Sequence, residues 1–287
     1  MANTIDWGQG AVNNTIDWGK GKTNNTINWG AIYDDTPTGE TNITGSGGVT
    51  PFTNTYSMTF DGVDEYFNGS SVFSDLNGSN QITISMWVKP TTGGLSLIHL
   101  ITNPRNTTAN NGQFGLYLFK GSRIEFWMGG TTTNYIRGNI NAITLDAWNH
   151  IAVYLDTTQA SATDRGFIYV NGADVTTSKS LTLNYSMLTA TGSLHIGEEQ
   201  NGGYNPFYGS IDEVALWPTN QVSNASNIYN GGVPFDLSTL GTTPSHWYRM
   251  GDGDTWGGSS WTLTDNIGSY DLTSANMEEA DRVTDVP

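Results

Sequence analysis

Trp148-Asn149-His150-Ile151-Ala152-Val153-Tyr154-Leu155 and Phe167-Ile168-Tyr169-Val170-Asn171-Gly172-Ala173-Asp174-Val175 are the stretches that decide the fold class. In the first, Ile151, Val153 and Leu155 share one face at period two, the pattern of a strand with one side on a core. The second carries Asn-Gly between two β-prone runs, the strongest short-range signal for a tight hairpin. The same grammar extends in both directions. Ile82 to Val88 alternates and stops at Lys89-Pro90. Phe114 to Phe119 and Ile124 to Met128 form two more strands joined through residues 120–123, and Ser193 to Gly197 and Gly209 to Trp217 complete the set. One short helix is expected, capped by Ser223, running to Tyr229 and stopped by Gly231-Gly232. Many strands at short intervals without crossover helices imply an all-β chain of antiparallel sheets packed face to face.

Composition agrees. The chain has 287 residues, 35 of them Gly, with only 13% charged residues, which suits short strands and small-residue turns better than long helices. Ten Trp, 13 Tyr and 10 Phe supply enough apolar surface to argue against disorder. Eleven basic against 27 acidic side chains give a formal charge of -16. That field repels a phosphate backbone or an anionic bilayer, so neither nucleic acid nor membrane insertion is expected. No apolar run approaches the roughly 20 residues of a spanning helix. Residues 1–8 lack the basic start and apolar stretch of a secretory leader. There is no cysteine, hence no disulfide.

The first 33 residues are a repeat. Asn3-Thr4-Ile5-Asp6-Trp7-Gly8 recurs at Asn14 to Gly19 and, with Asn28 for Asp, at Asn25 to Gly30. Each unit is too small to own a core. Trp7, Trp18 and Trp29 are therefore expected to anchor residues 1–33 on another surface, a neighbouring subunit before the chain's own sandwich. A linker follows over 34–54, then a sandwich over 55–240 and a C-terminal segment over 241–287.

Three stretches carry a family likeness. Met58-Thr59-Phe60-Asp61-Gly62-Val63-Asp64-Glu65-Tyr66 resembles the opening strand of laminin G-like modules of the concanavalin A-type jelly roll. Trp148 to Val153 with Ile168 to Gly172 is similar to their central strands, and Gly209 to Trp217 to their closing strand. The resemblance implies a jelly-roll β-sandwich. His246-Trp247-Tyr248-Arg249-Met250-Gly251-Asp252-Gly253-Asp254 with Asp265-Asn266-Ile267-Gly268 is similar to a stretch that usually precedes the first strand. Here it comes last, so the strand order is permuted or a further repeat begins. A return is expected in which residues 245–277 lie beside the Met58 strand and Trp247 or Tyr248 enters the core, leaving that strand no open edge. The whole layout resembles virion proteins of tailed bacteriophages: tail fibres, head fibres and capsid decorations. That implies a non-enzymatic structural and attachment protein assembled in a host cytoplasm, bound to other virion proteins through its arm, homo-oligomeric and exposing its sandwich to surface glycans. The alternative is an exported carbohydrate-binding module or a glucanase.

Sugar binding needs ring faces beside amides and carboxylates, which points to Tyr135, Tyr204 and Tyr208. Calcium, which related modules often hold, has oxygen-donor candidates in Asp61, Asp64, Asp252 and Asp254. A glucanase needs carboxylates at period two on one strand face. Asp212-Glu213 are adjacent, so strict alternation sends them to opposite faces and leaves Asp212 a structural role at a strand edge. Glu198-Glu199 reads as a solvated loop pair, and His99, His150, His195 and His246 have no local spacing for zinc.

Overall fold

The computed structural model describes residues 52–93, 97–103, 113–119, 122–129, 134–198 and 205–287. The Trp-Gly arm with Trp7, Trp18 and Trp29, most of the linker, Glu199 and Tyr204 lie outside the described residues. The strands are β1 (Ser57–Asp61), β2 (Tyr66–Gly69), β3 (Gln81–Pro90), β4 (Leu97–Asn103), β5 (Phe114–Phe119), β6 (Arg123–Met128), β7 (Tyr135–Gly138), β8 (Asn149–Asp156) and β9 (Gly166–Val170). They continue as β10 (Ala173–Asp174), β11 (Thr176–Ser180), β12 (His195–Ile196), β13 (Tyr208–Trp217), β14 (His246–Tyr248), β15 (Thr255–Trp256), β16 (Trp261–Leu263), β17 (Leu272–Ala275) and β18 (Arg282–Val283).

They form two antiparallel sheets. One has eight strands, in the order β10-β9-β8-β3-β13-β1-β18 with β14 also on β13; the other has ten, β11-β7-β6-β5-β4-β12-β2-β17-β16-β15. Alternation explains the layers. Ile82, Ile84, Met86 and Val88 of β3 and Ile151, Val153 and Leu155 of β8 point inward. They meet Phe114, Leu116 and Leu118 of β5 and Ile124, Phe126 and Met128 of β6 in one core. The eight-stranded sheet is covered on its outer face too: Ala152, Tyr154, Ala215 and Trp217 pack with Ile228, Leu237 and Trp247 in a second cluster. At the β9–β10 turn Asn171 and Gly172 both have positive φ, 49° and 77°, the conformation an Asn-Gly hairpin adopts.

The C-terminal strands belong to these same two sheets. β14 pairs with β13, Val214 opposite Tyr248 and Leu216 opposite His246. It lies end to end with β1, which pairs with the first half of β13. The segment therefore does not sit beside the Met58 strand; the outer edge of β1 is closed by β18 instead. β17 pairs with β2 and brings β16 and β15 into the ten-stranded sheet. Tyr248 is buried in the central core and Trp247 in the second cluster.

The helix also differs from expectation. A 3-10 turn over Val222–Asn224 precedes α1 (Ala225–Tyr229), so Ser223 lies inside that turn rather than capping. The helix ends at Asn230 in the left-handed region, φ 49°.

Candidate functional site

The outer face of the ten-stranded sheet carries several aromatic rings that are only partly buried. With Phe114, Leu116 and Leu118 inside, Gly115, Tyr117 and Phe119 face out. By the same alternation β6 turns out Arg123, Glu125 and Trp127, and β7 turns out Tyr135 and Arg137. Register aligns them in rows. Arg137 lies opposite Glu125, Glu125 opposite Tyr117, and Tyr117 opposite His99. The next row runs Tyr135, Trp127, Gly115, Thr102, His195, Asn68.

These side chains hold one another. The Trp127 and Tyr135 rings lie 5.2 Å apart at 35°. The Arg137 guanidinium carbon sits 4.2 Å from the Tyr135 ring centre and 5.2 Å from that of Trp127, a cation–π arrangement. Glu125 is the tie beneath them: one of its oxygens accepts from Trp127 Nε1 at 3.0 Å and from Arg137 Nε at 3.2 Å, and Arg123 pairs with the other. Its side chain is 5% exposed, against 34% for Arg137 and 27% for Arg123. A carboxylate closed off in this way is stable because it is multiply paired. Further across, His99 meets Tyr117 edge-on at 4.7 Å, and Tyr66 stacks on His195 at 5.6 Å. Burial, then Glu198 and Asp64, raise the Tyr66 hydroxyl above its ordinary pKa. Gly115 is required here, because a Cβ would lie 2.5 Å from Tyr117 Cε1 and push the ring off the sheet. The result is a fixed platform of rings edged by guanidinium, amide and hydroxyl groups, the chemistry that takes a pyranose face.

Of the tyrosines read from sequence, Tyr135 is on this platform. Tyr208 is not: it opens β13 in the other sheet, 37% exposed beside Gly62. The calcium candidates do not converge. Asp61 accepts from Val63 N–H. Asp252 accepts from the Thr55 and Tyr56 N–H groups and meets Arg249, while Asp254 accepts from Gly251 and Thr264. Among the described residues no three His, Asp or Glu side chains group as metal ligands. Trp127, Tyr117 and Arg137 were missed. For Tyr117 and Trp127 the signal was the outward half of two strands already read, bearing rings where solvent-facing positions usually carry Ser, Thr or Lys; Arg137 lies on β7, a strand the sequence reading did not include.

Asp212 and Glu213 correct the alternation argument. The register of β13 against β3 shifts between Asp212 and Ala215, and Glu213 has φ 49°. This bulge leaves Ile211 and Val214 both in the core, so both carboxylates face the outer side of a central strand, not opposite faces and not an edge. They are buried near the stacked pair Phe52 and Trp247, whose rings lie 6.0 Å apart. Asp212 accepts from Asn54 at 2.7 Å and Glu213 N–H at 2.8 Å; Glu213 accepts from Trp247 Nε1 at 2.6 Å and Arg249 Nε at 3.1 Å. Burial and then Glu213 push Asp212 well up, and burial, opposed by Arg249, pushes Glu213 up to about 7. A buried pair with three outside partners, Asn54, Trp247 and Arg249, is a structural joint between the segment before β1 and β14, closed to a substrate. Glu198 is likewise buried, 3.7 Å from His195, which corrects its reading as a solvated loop residue.

Glu213 and other buried groups give the fold a pH signature. Glu213 at about 7, Glu65 at about 7 and Asp254 at about 6 all stand above their unfolded values, chiefly through burial. The folded state then binds more protons, so stability falls as pH rises from about 4.5 to 7. His246 acts in the same direction. Burial would lower its pKa, but hydrogen bonds to Asp265 and Asp75 outweigh that and raise it, so its contribution is full below 6.5 and lost above. Asp156 and Asp265 are lowered and lose stability only at more acid pH, while His150, held by burial at about 3, opposes the trend below about 6.5 without outweighing the three carboxylates. The thermal midpoint should be higher at pH 5.5 than at pH 8, with a smaller difference in Glu213→Gln. A midpoint that climbs from 5.5 to 8 would show that these groups are not closed off as described.

Comparisons with known proteins agree with the geometry. A search of curated protein sequences finds no match. A native heptameric SAP-like pentraxin from Limulus polyphemus superposes with a TM-score of 0.51 at 17% identity, covering 74% of this chain and 93% of the pentraxin. A putative carbohydrate binding protein from Bacteroides ovatus gives 0.55 at 18% identity, covering 79% of this chain and 60% of that one. At such identities the likeness is one of fold. The family model described as the concanavalin A-like lectin/glucanases superfamily matches residues 60–228, from the end of β1 into α1. With that match spanning more than half of a two-sheet antiparallel sandwich, the chain belongs to the concanavalin A-like lectin/glucanases superfamily.

Proposed function

We propose that this protein is a non-enzymatic attachment protein of a virus particle, whose sandwich binds glycans on the outer face of the ten-stranded sheet and whose Trp-Gly arm anchors it to other virion proteins. The observation that carries the glycan half is the ring platform of Trp127, Tyr135 and Tyr117, fixed by Arg137 and Glu125. The superfamily holds both lectins and glucanases; the burial of Asp212 and Glu213 supports binding without hydrolysis. The virion half rests on the 11-residue repeat that spaces Trp7, Trp18 and Trp29. Such an arm suits a homo-oligomer as well as a particle.

Two measurements test the two halves. A glycan array probed with the purified protein should return a defined set of ligands, with no shortening of β-glucans during incubation. Purified particles from infected cells should contain the protein at fixed stoichiometry, and deletion of residues 1–33 should leave a folded sandwich absent from them. Release of reducing ends from β-glucan would turn the reading to a glucanase; particles without the protein would turn it to an exported binding module.

A further inference from the structure

We propose that the ligand of this face is a sugar bearing a carboxylate, seated beside the platform in the pocket that Arg123 and Arg137 line. The proposal rests on the glycan-binding reading of the same face. Its starting point is charge. Two guanidinium groups share a single carboxylate, Glu125, leaving one surplus positive charge on a chain of net charge -16. Both arginines are about a third exposed while Glu125 is closed off, so the surplus faces outward.

The pocket beside them has a volume of about 500 Å³. Besides the two arginines it is lined by Asn139, Thr177, Ser178 and Ile140. Arg137 uses Nε on Glu125, which leaves the two terminal nitrogens of its fork as the part that can pair with a carboxylate. Its guanidinium carbon sits 4.2 Å over the Tyr135 ring and its Nε is tied to Glu125, which restrains the fork. Ser178 and Asn139 supply neutral donors for hydroxyls, and Ile140, 70% exposed, supplies an apolar contact for a ring C–H face or an acyl group. A neutral sugar would use the rings and hydroxyls alone and leave the guanidinium charge unmatched.

The test compares matched probes by titration calorimetry on the full chain. One pair is oligogalacturonate and its methyl ester; the other is a sialylated trisaccharide and the disaccharide lacking the terminal acid. At least one acid probe should bind about tenfold or more tightly than its neutral counterpart, and which pair responds separates an acidic backbone from an acidic terminus. Ser178→Glu places a like charge at the exposed rim without touching the Glu125 ion pairs, so folding should be unchanged. It should weaken the acid probe about tenfold more than the neutral one, which loses only the Ser178 hydroxyl contact. Equal affinity for acid and neutral probes, both abolished in Trp127→Ala, would overturn the carboxylate and keep the glycan reading. Absence of binding to these probes and to every sugar of a broad array would overturn both.

Discussion

A chain ending at Leu240 is expected not to fold. It would lack β14 to β18 and with them Tyr248, Met250, Trp261, Leu263, Leu272 and Met277, all at most 3% exposed in the central core. Trp247 would leave the second cluster, where it also binds Glu213. Removing a large core side chain costs roughly 2–5 kcal/mol each, whereas a domain's whole margin is roughly 5–15 kcal/mol. Six such losses exceed it. The truncation would also strip β18 from the edge of β1 and β17 from that of β2, opening two edges. Circular dichroism should show no cooperative thermal transition, and limited proteolysis should degrade the chain completely. A sharp transition near that of the full chain would mean the tail is an accessory.

Within the tail, Asp265→Ala should have the largest effect of any single polar substitution. One oxygen of Asp265 accepts from the N–H groups of Trp247, Ile267 and Gly268 at 3.1, 3.3 and 3.0 Å. The other accepts from Tyr270 N–H at 3.1 Å and His246 Nδ1 at 2.7 Å. His246 Nε2 is 2.8 Å from Asp75, so both ring nitrogens face carboxylates and the protonated ring donates to both. Alanine would orphan several buried donors and half of that cation's pairing, at about 1–3 kcal/mol each. A loss of about 4 kcal/mol or more is expected, read as a fall in the urea midpoint with the slope unchanged. Asp265→Asn, which keeps one acceptor, should fall between. A loss under about 1 kcal/mol in the alanine variant would mean that the loop over 265–270 does not hold β14 in place.

The sandwich was legible because its central strands obey period two: Ile151, Val153 and Leu155 are inside, as the spacing requires. Strands without that rhythm were not. Leu97-Ile98-His99-Leu100-Ile101 is nearly continuous in apolar residues and carries an irregularity between His99 and Ile101, so it offers no alternation to read. Thr176–Ser180 is a polar edge strand, paired with β7 along one side. The bulge at Glu213 is invisible to a rule of strict alternation, which is why the two carboxylates were sent to opposite faces. The tail's Trp247 and Tyr248 were legible through the family resemblance of their stretch, but their partner strand was not. Pairing is a long-range choice, and β13 has room for two half-length neighbours on one side.

The platform was half legible for a related reason. Tyr135 was found as an isolated aromatic, whereas its companions come from other strands and meet it only through register. Tyr208 had equal standing in sequence and landed in the other sheet.

That difference supplies the most direct measurement. Affinity for the tightest array glycan should be titrated for the wild type, the double variant Trp127→Ala/Tyr135→Ala, and Tyr208→Ala. Loss of anchoring rings costs about 2 kcal/mol or more, a factor of about 30 in Kd. The double variant should therefore weaken binding at least about thirtyfold, while Tyr208→Ala stays within about twofold of wild type. Full affinity in the double variant, with loss in Tyr208→Ala, would contradict the placement of the glycan site on the outer face of the ten-stranded sheet.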